Sequence, residues 1–288
     1  MELLARDRRL QFPRRPLIMG IVNINDDSFC SDGRIDQNWA LDKARELVSQ
    51  GADIVDVGAE SARTNRPAIE PEEELRRLRP FLEGFGKTWS GLEPRDRDQV
   101  FPPLLSINTW RAEVASAALE CGGDLLNDLS GLEDDRNARI CARAGAALVI
   151  IHSVGSPKIA HTHVSYQDAI EEMLQFFRNR MAVAQGAGVP REAIVLDPGI
   201  DFAKQVADNL RILRELETFL EFQRPILLPI SRKEVIGNVL GIEDPRERDP
   251  ATAACIVAGM LRGASIFRVH NVEMAWRVIA SVHRLCEG

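Results

Sequence analysis

The chain has 288 residues, 45% of them hydrophobic, which is enough for a sizeable core and suits one α/β barrel. A formal net charge of −7 and a pI near 5.4 exclude a general nucleic-acid binder, though not a local basic pocket. The five scattered cysteines (Cys30, Cys121, Cys141, Cys255 and Cys286) form no CxxC pair, which excludes a disulfide framework or cysteine metal site and fits a reducing cytoplasmic setting.

Residues 1–15 are arginine-rich without a signal-peptide apolar centre, and are expected as a leader packed on the N-terminal end of a single domain over 16–288. Leu17 to Asn23 is an apolar run that predicts a strand, and Trp39 to Gln50 has helical spacing. Asp53 to Val57 predicts the next strand. Pro71 to Gly84 predicts a helix opened by proline and a run of glutamates. Residues 88–103 are polar and proline-bounded, and are expected as a surface excursion. Strands follow at 104–108, 124–127, 147–152, 193–197, 225–230 and 265–269. The helices between and after them fall at 111–120, 135–144, 166–185, near 207–220, from Ser231 onward, at 251–261 and at 272–285. The continuous apolar runs predict strands buried on both faces, as in a parallel sheet. About eight alternations of strand and helix with no break in composition favour a closed (β/α)8 TIM barrel over an open sheet. No apolar run is long enough to span a membrane, and the spacing of the histidines, His161 and His163 included, is not that of a zinc site.

In such a barrel the loops after the strands gather at one face. The polar residues there are Asn23, Asp56 with Gly58 and Glu60, Asn108, Asn127 with Asp128, His152, Asp197, Ser231 to Lys233, and Arg268 with His270. Each has a bland reading: Asn and Asp begin turns, His152 suits a satisfied buried histidine, and Arg232 suits a solvated helix start. Their convergence on one mouth favours a ligand site. Asn127, Asp197 and Lys233 match the edge of a planar nitrogen heterocycle. Asn23, Arg63, Arg268 and His270 suit an anion with a divalent metal, helped by the amides of a helix opening at Ser231-Arg232-Lys233.

The segments IMGIVNINDDSF, ADIVDVGAESAR, LLNDLSG, IVLDPGIDF, LPISRKEVIG and IFRVHNV resemble, in order, the motifs of the dihydropteroate synthase family. The resemblance covers essentially the whole chain. It implies transfer of a dihydropterin methylene from pyrophosphate to p-aminobenzoate in folate synthesis, by a Mg2+-using homodimer with small-molecule substrates and no nucleic-acid or membrane partner. It implies a pterin site at Asn108, Asn127, Asp197, Lys233 and Arg268. Pyrophosphate would meet Asn23, Arg63, Arg268 and His270, with Asn23 also on the metal. Asp197, Lys233, Arg63 and Asp32 would be catalytic, the last two from loops that close over the site. Ala62, Thr64, Ser231 and Glu234 would border the second substrate. The chain departs from the family pattern at Asn108, where an aspartate is expected. It also departs at Asn25, Asp26, Ala62, Thr64, Ser153, Val154 and Glu234, and at Asp201 and Ala203, which replace glycines. Three other readings remain open: a pterin barrel with no synthase activity or another acceptor, a methyltetrahydrofolate–corrinoid methyltransferase, and a Schiff-base aldolase using Lys233.

Overall fold

A computed structural model describes residues 1–25, 33–61, 67–159 and 164–287. After a hairpin of β1 (Glu2–Ala5) and β2 (Arg8–Gln11), strand and helix alternate. The strands are β3 (Leu17–Asn23), β4 (Ile54–Gly58), β5 (Leu104–Asn108), β6 (Leu125–Asp128), β7 (Ala147–Ile151), β8 (Ile194–Asp197), β9 (Ile226–Leu228) and β10 (Ala264–Val269). The helices are α1 (Gln37–Ser49), α2 (Pro71–Phe85), α3 (Ala112–Glu120), α4 (Arg136–Ala144), α5 (Ala169–Gly186), α6 (Val206–Arg214), α7 (Glu234–Leu240), α8 (Asp249–Leu261) and α9 (Val272–Glu287). β3 to β10 pair in parallel and close into a barrel, with β10 beside β3. This is the predicted TIM barrel.

Every residue of β4, β5, β7 and β8 is buried, because the barrel core covers one face and the helix ring the other. The helices start where local chemistry allows. Asp36 caps α1 by accepting from the amides of Asn38 and Trp39, and Asp168 caps α5 in the same way. α2 opens on Pro71 and Glu72, Glu73 and Glu74, and α4 ends on Gly145 in the left-handed region.

Residues 1–15 form the hairpin beneath the strands' N-terminal ends. The Arg6 amide donates to the Gly145 carbonyl at 2.8 Å and its Nε to the Gly123 carbonyl at 2.7 Å. The Arg224 guanidinium ties the Glu2 carbonyl to that of Glu192. Below the first barrel strand Arg15 meets the fully buried Asp53 at 3.0 Å, and Asp53 also accepts from the amides of Ile18 and Val100.

Residues 88–103 run over the surface as expected, with Ser90, Gly91, Glu93, Pro94, Arg97 and Asp98 exposed, but are anchored: Trp89, Gln99 and Val100 are buried, Gln99 donates to the carbonyls of Val48 and Ala52, and Arg95 stacks on Trp276. Two expectations change. The helix expected near 207–220 breaks at Glu215, and Leu216–Phe222 continues as a 3-10 turn that buries Phe219 and Phe222. No helix opens at Ser231. Arg232 sits at φ 60°, and α7 begins only at Glu234 with Lys233 as its cap.

Candidate active site

The floor of the mouth is built on Asp56 of β4. Its carboxylate is fully buried and accepts from the Ser106 hydroxyl on β5 at 2.6 Å and from Nδ2 of Asn127 on β6 at 3.3 Å. It also accepts from Nε of Arg268 on β10 at 2.7 Å. β4 is a sheet neighbour of neither β6 nor β10, so these contacts cross the barrel interior. They fix the Asn127 amide and the Arg268 guanidinium in one layer. Asn127 Oδ1 is buried with no hydrogen-bond partner among the described residues. An orphaned acceptor of this kind costs about 1–3 kcal/mol unless a ligand donor meets it.

Asp197 ends β8 and is 3% exposed. Its carboxylate accepts from the Gly199 amide at 2.7 Å. Burial pushes its pKa up to about 6, against the pull of that amide and of the charges of Lys233, Lys204 and Arg268. The Lys233 ammonium donates to the Ile200 carbonyl at 2.8 Å and lies 4.9 Å from the centre of the Phe202 ring. Burial lowers the Lys233 pKa, and Asp201 and Asp197 oppose the shift. Asp197 at the end of β8, Lys233 after β9 and Asn127 near the end of β6 therefore offer acceptor, donor and acceptor around the mouth. Asn108 is buried at the end of β5, paired in register with Asn127 and packed against Gly58, where a Cβ would come within 3.2 Å of its side chain. It does not cap the next helix; Arg111 stands at that position.

His270 and Asn23 follow neighbouring strands, β10 and β3. The His270 amide donates to Ser231 Oγ at 3.2 Å, and that hydroxyl lies 3.1 Å from Nδ1 of the same histidine. With its oxygen accepting from the amide, the hydroxyl is free to donate to Nδ1. Ser231, expected at the second-substrate pocket, thus holds the His270 ring at Nδ1 and its backbone amide. Arg232 is not a solvated helix start: it forms a two-point pair with Asp249 at 2.7 and 2.8 Å, and Asn271 donates to the same carboxylate. Glu234 is exposed. The first amides of α7 do not await an anion. Those of Glu234 and Val235 donate to the Asp201 carboxylate, the nearer contact at 2.7 Å.

His152 is 3% exposed and packs edge-on against Phe176, with ring centroids 4.7 Å apart. Burial and the nearby Lys204 hold its pKa down, to about 2, so the ring is neutral. The expected site residues Asp32, Ala62, Arg63 and Thr64 lie outside the described residues. No cluster of three His, Cys, Asp or Glu able to hold a metal occurs among the described residues. Two participants drew no role from the sequence. Asp56 stood among the strand ends, but its cross-barrel contacts leave no trace in spacing. Lys204 was passed over because most of its partners are main-chain carbonyls.

These features define a class: a parallel barrel whose mouth gathers hydrogen-bonding and cationic side chains at the C-terminal ends of its strands. Residues 19–270 match the family model described as pterin binding enzyme. The dihydropteroate synthase of a Synechocystis species is 36% identical over 90% of this chain and 86% of its own length. A crystal structure of Yersinia pestis dihydropteroate synthase in complex with a sulfonamide drug superposes with a TM-score of 0.89 at 30% identity, covering 100% of this chain and 99% of that one. The folate synthesis bifunctional protein of Arabidopsis thaliana is 33% identical over 98% of this chain, which spans 58% of that relative. The chain belongs to the dihydropteroate synthase family of pterin-binding enzymes.

Proposed function

We propose that this protein is a transferase that condenses 6-hydroxymethyl-7,8-dihydropterin diphosphate with p-aminobenzoate and releases pyrophosphate, as a step of folate biosynthesis. The observation that carries the reading is the orphaned Asn127 Oδ1 near the end of β6, on the same barrel mouth as Asp197 at the end of β8 and Lys233 after β9. A pterin presents a row of ring and amino N–H donors next to a carbonyl acceptor. Its donors suit Asn127 and Asp197, and its acceptor suits Lys233.

In the step itself the methylene C–O bond breaks and its electron pair leaves with pyrophosphate. Positive charge spreads into the pterin, where the fixed Asp197 carboxylate stabilises it. The amine lone pair closes the new C–N bond, and the ammonium proton passes to solvent. Lys233 donates to the ring, beside its bond to the Ile200 carbonyl, and this substitution asks no nucleophile of it because the incoming amine supplies the electron pair.

Arg268, His270 and Asn23 would receive the pyrophosphate. A magnesium ion bound through few protein groups usually keeps waters and substrate phosphates as its other ligands. The Asn23 amide oxygen, with no carboxylate cluster around it among the described residues, fits a metal that arrives on the substrate. Asn23 would hold Mg2+, which would neutralise charge on the leaving group. The exposed Val239 and Leu240 of α7 and Leu261 of α8 support a homodimer. No helix among the described residues is long and apolar enough to cross a membrane. The free Cys121, Cys141, Cys255 and Cys286 are in keeping with a cytoplasmic setting.

Incubation with the dihydropterin diphosphate, Mg2+ and p-aminobenzoate tests the reading, with pyrophosphate and condensed product measured separately. Neither appearing would sink it, and pyrophosphate without product would point to another acceptor. His270→Ala is expected to weaken the diphosphate substrate about tenfold or more by calorimetry while leaving a pterin without phosphates almost unchanged, the loss of one charge-assisted contact. Equal losses would make His270 a structural residue.

Asn108→Asp is expected to raise turnover by about 10–10²-fold with little change in pterin affinity. It brings a second fixed carboxylate to the developing cation, where a single aimed contact is worth up to about 10²–10³-fold and Asp197 already supplies part of the effect. A fall in activity would mean that the amide itself is required, and would favour a different reaction.

A further inference from the structure

We propose that Lys204 is a positioning residue for the pterin edge, its ammonium fixing the loop from Gly199 to Ala203 and, through it, the settings of Lys233 and Asp197. The proposal rests on the pterin reading above.

Lys204 stands four residues beyond Ile200, and its Nζ turns inward against four acceptors. These are the carbonyls of Gly199 at 2.9 Å, Phe202 at 3.0 Å and His152 at 3.2 Å, and Nδ1 of His152 at 2.9 Å. Because the imidazole is neutral, Nδ1 accepts and Nε2 carries the proton. One ammonium thus joins the end of β7 to the loop after β8.

That loop lies between two lysines. The carbonyls of residues 199 and 202 face Lys204, while that of Ile200 faces Lys233 and the Phe202 ring lies under it. The backbone is held in an unfavourable shape to do this. Asp201 and Ala203 sit at φ 66° and 51°, in the left-handed region that a residue with a Cβ disfavours. Gly199 has no alternative, since a Cβ there would lie 2.1 Å from the His152 carbonyl oxygen. Contacts from outside complete the clamp. The Tyr166 hydroxyl donates to the Ala203 carbonyl, and Asn209 of α6 binds the backbone amide and carboxylate of Asp201.

Charge is the second part of the role. Asp197 is faced by Lys204, Lys233 and Arg268, while Lys204 is faced by Asp197, Lys233, Asp208 and Asp201. Burial brings the Lys204 pKa down to about 7, so its cation is present in the range where Asp197 ionises. Removing that cation leaves Asp197 harder to ionise at neutral pH. A scaffold contact alone would have no such effect.

The experiment is the affinity for a phosphate-free pterin, measured by calorimetry from pH 5.5 to 8.5 on the whole chain and on Lys204→Met. In the wild type, affinity is expected to weaken as pH falls through about 6, where Asp197 takes up its proton. In the variant the same loss is expected about one pH unit higher. The two proteins then differ about threefold near pH 6.5, approach about tenfold toward pH 5.5 and converge toward pH 8.5. An equal loss at every pH, or none, overturns the proposal. Should Lys204→Met fail to fold, the unmutated protein carries the test. It has five lysines, so the side-chain nitrogen of Lys204 can be followed by NMR with lysine-specific 15N labelling. Its signal should show a further inflection near pH 6, where Asp197 takes up its proton, and pterin binding should remove that inflection by holding Asp197 ionised; an inflection that is absent, or that the pterin leaves in place, overturns the proposal. Wild type that binds no pterin at all would refute the pterin reading rather than this one.

Discussion

Replacing Asp197 with asparagine is expected to cut turnover by about 10²–10³-fold while making the fold more stable at neutral pH. The loss follows from removing the fixed charge that meets the pterin cation, since aimed contacts of this type are worth that order in rate. The gain follows from linkage. Burial raises the Asp197 pKa from 3.8 to about 6, so the folded state binds more protons than the unfolded state between those values. Stability therefore falls as pH rises from about 4 to about 6, and the folded chain carries the cost of the charged group above that window. The cost is roughly 1–3 kcal/mol at pH 7, which an amide relieves. Denaturant melts at pH 4 and pH 7 check the sign: the variant's advantage should be small at pH 4 and full at pH 7. A variant less stable than wild type at pH 7 would contradict the assignment of burial as the dominant cause.

Asp56→Asn is expected to go the other way on stability, losing about 2–3 kcal/mol, and to weaken pterin binding by an order of magnitude or more. Breaking a buried pair by removing one partner costs about 3–5 kcal/mol, and the 22% exposure of the Arg268 side chain reduces this. The binding loss has a geometric origin. An asparagine at 56 presents an amino group toward Nε of Arg268 or Nδ2 of Asn127, donor against donor, and both side chains must turn. Thermal denaturation and calorimetry with a pterin check the pair of effects. Weakened binding with unchanged stability would place Asp56 on the ligand rather than beneath it.

Much of this was legible in the sequence wherever burial is continuous. Leu17 to Asn23 and Leu104 to Asn108 were read with the boundaries they have, because an apolar run ending on asparagine marks where a two-sided strand meets the solvated face. The N-terminal hairpin escaped because its strands are only four residues long and are held by backbone carbonyls elsewhere. The turn at Arg232 was misread for a related reason. Its left-handed backbone is held by Asp249, seventeen residues away, and helical spacing cannot report that contact. Within the site, residue types at strand ends carried Asn127, Asp197, Lys233, Arg268 and His270. The wiring beneath them did not show, because Asp56 works through strands that are not its neighbours.

That wiring bears on how the chain reaches its native state. The ion pair between Arg268 and Asp56 joins residues 212 positions apart, from the first and last quarters of the chain. A loop of that length closes only once β10 has docked beside β3. Long-range pairings of this kind are slow to form, because chain entropy is lost before the contact repays it. The floor that receives the ring is thus assembled at circularisation of the sheet, and no half-barrel fragment carries it. A ligand gripping that floor stabilises only the closed form by mass action. Such a ligand is expected to act chiefly by slowing unfolding, because it has nothing to grip until the sheet has closed.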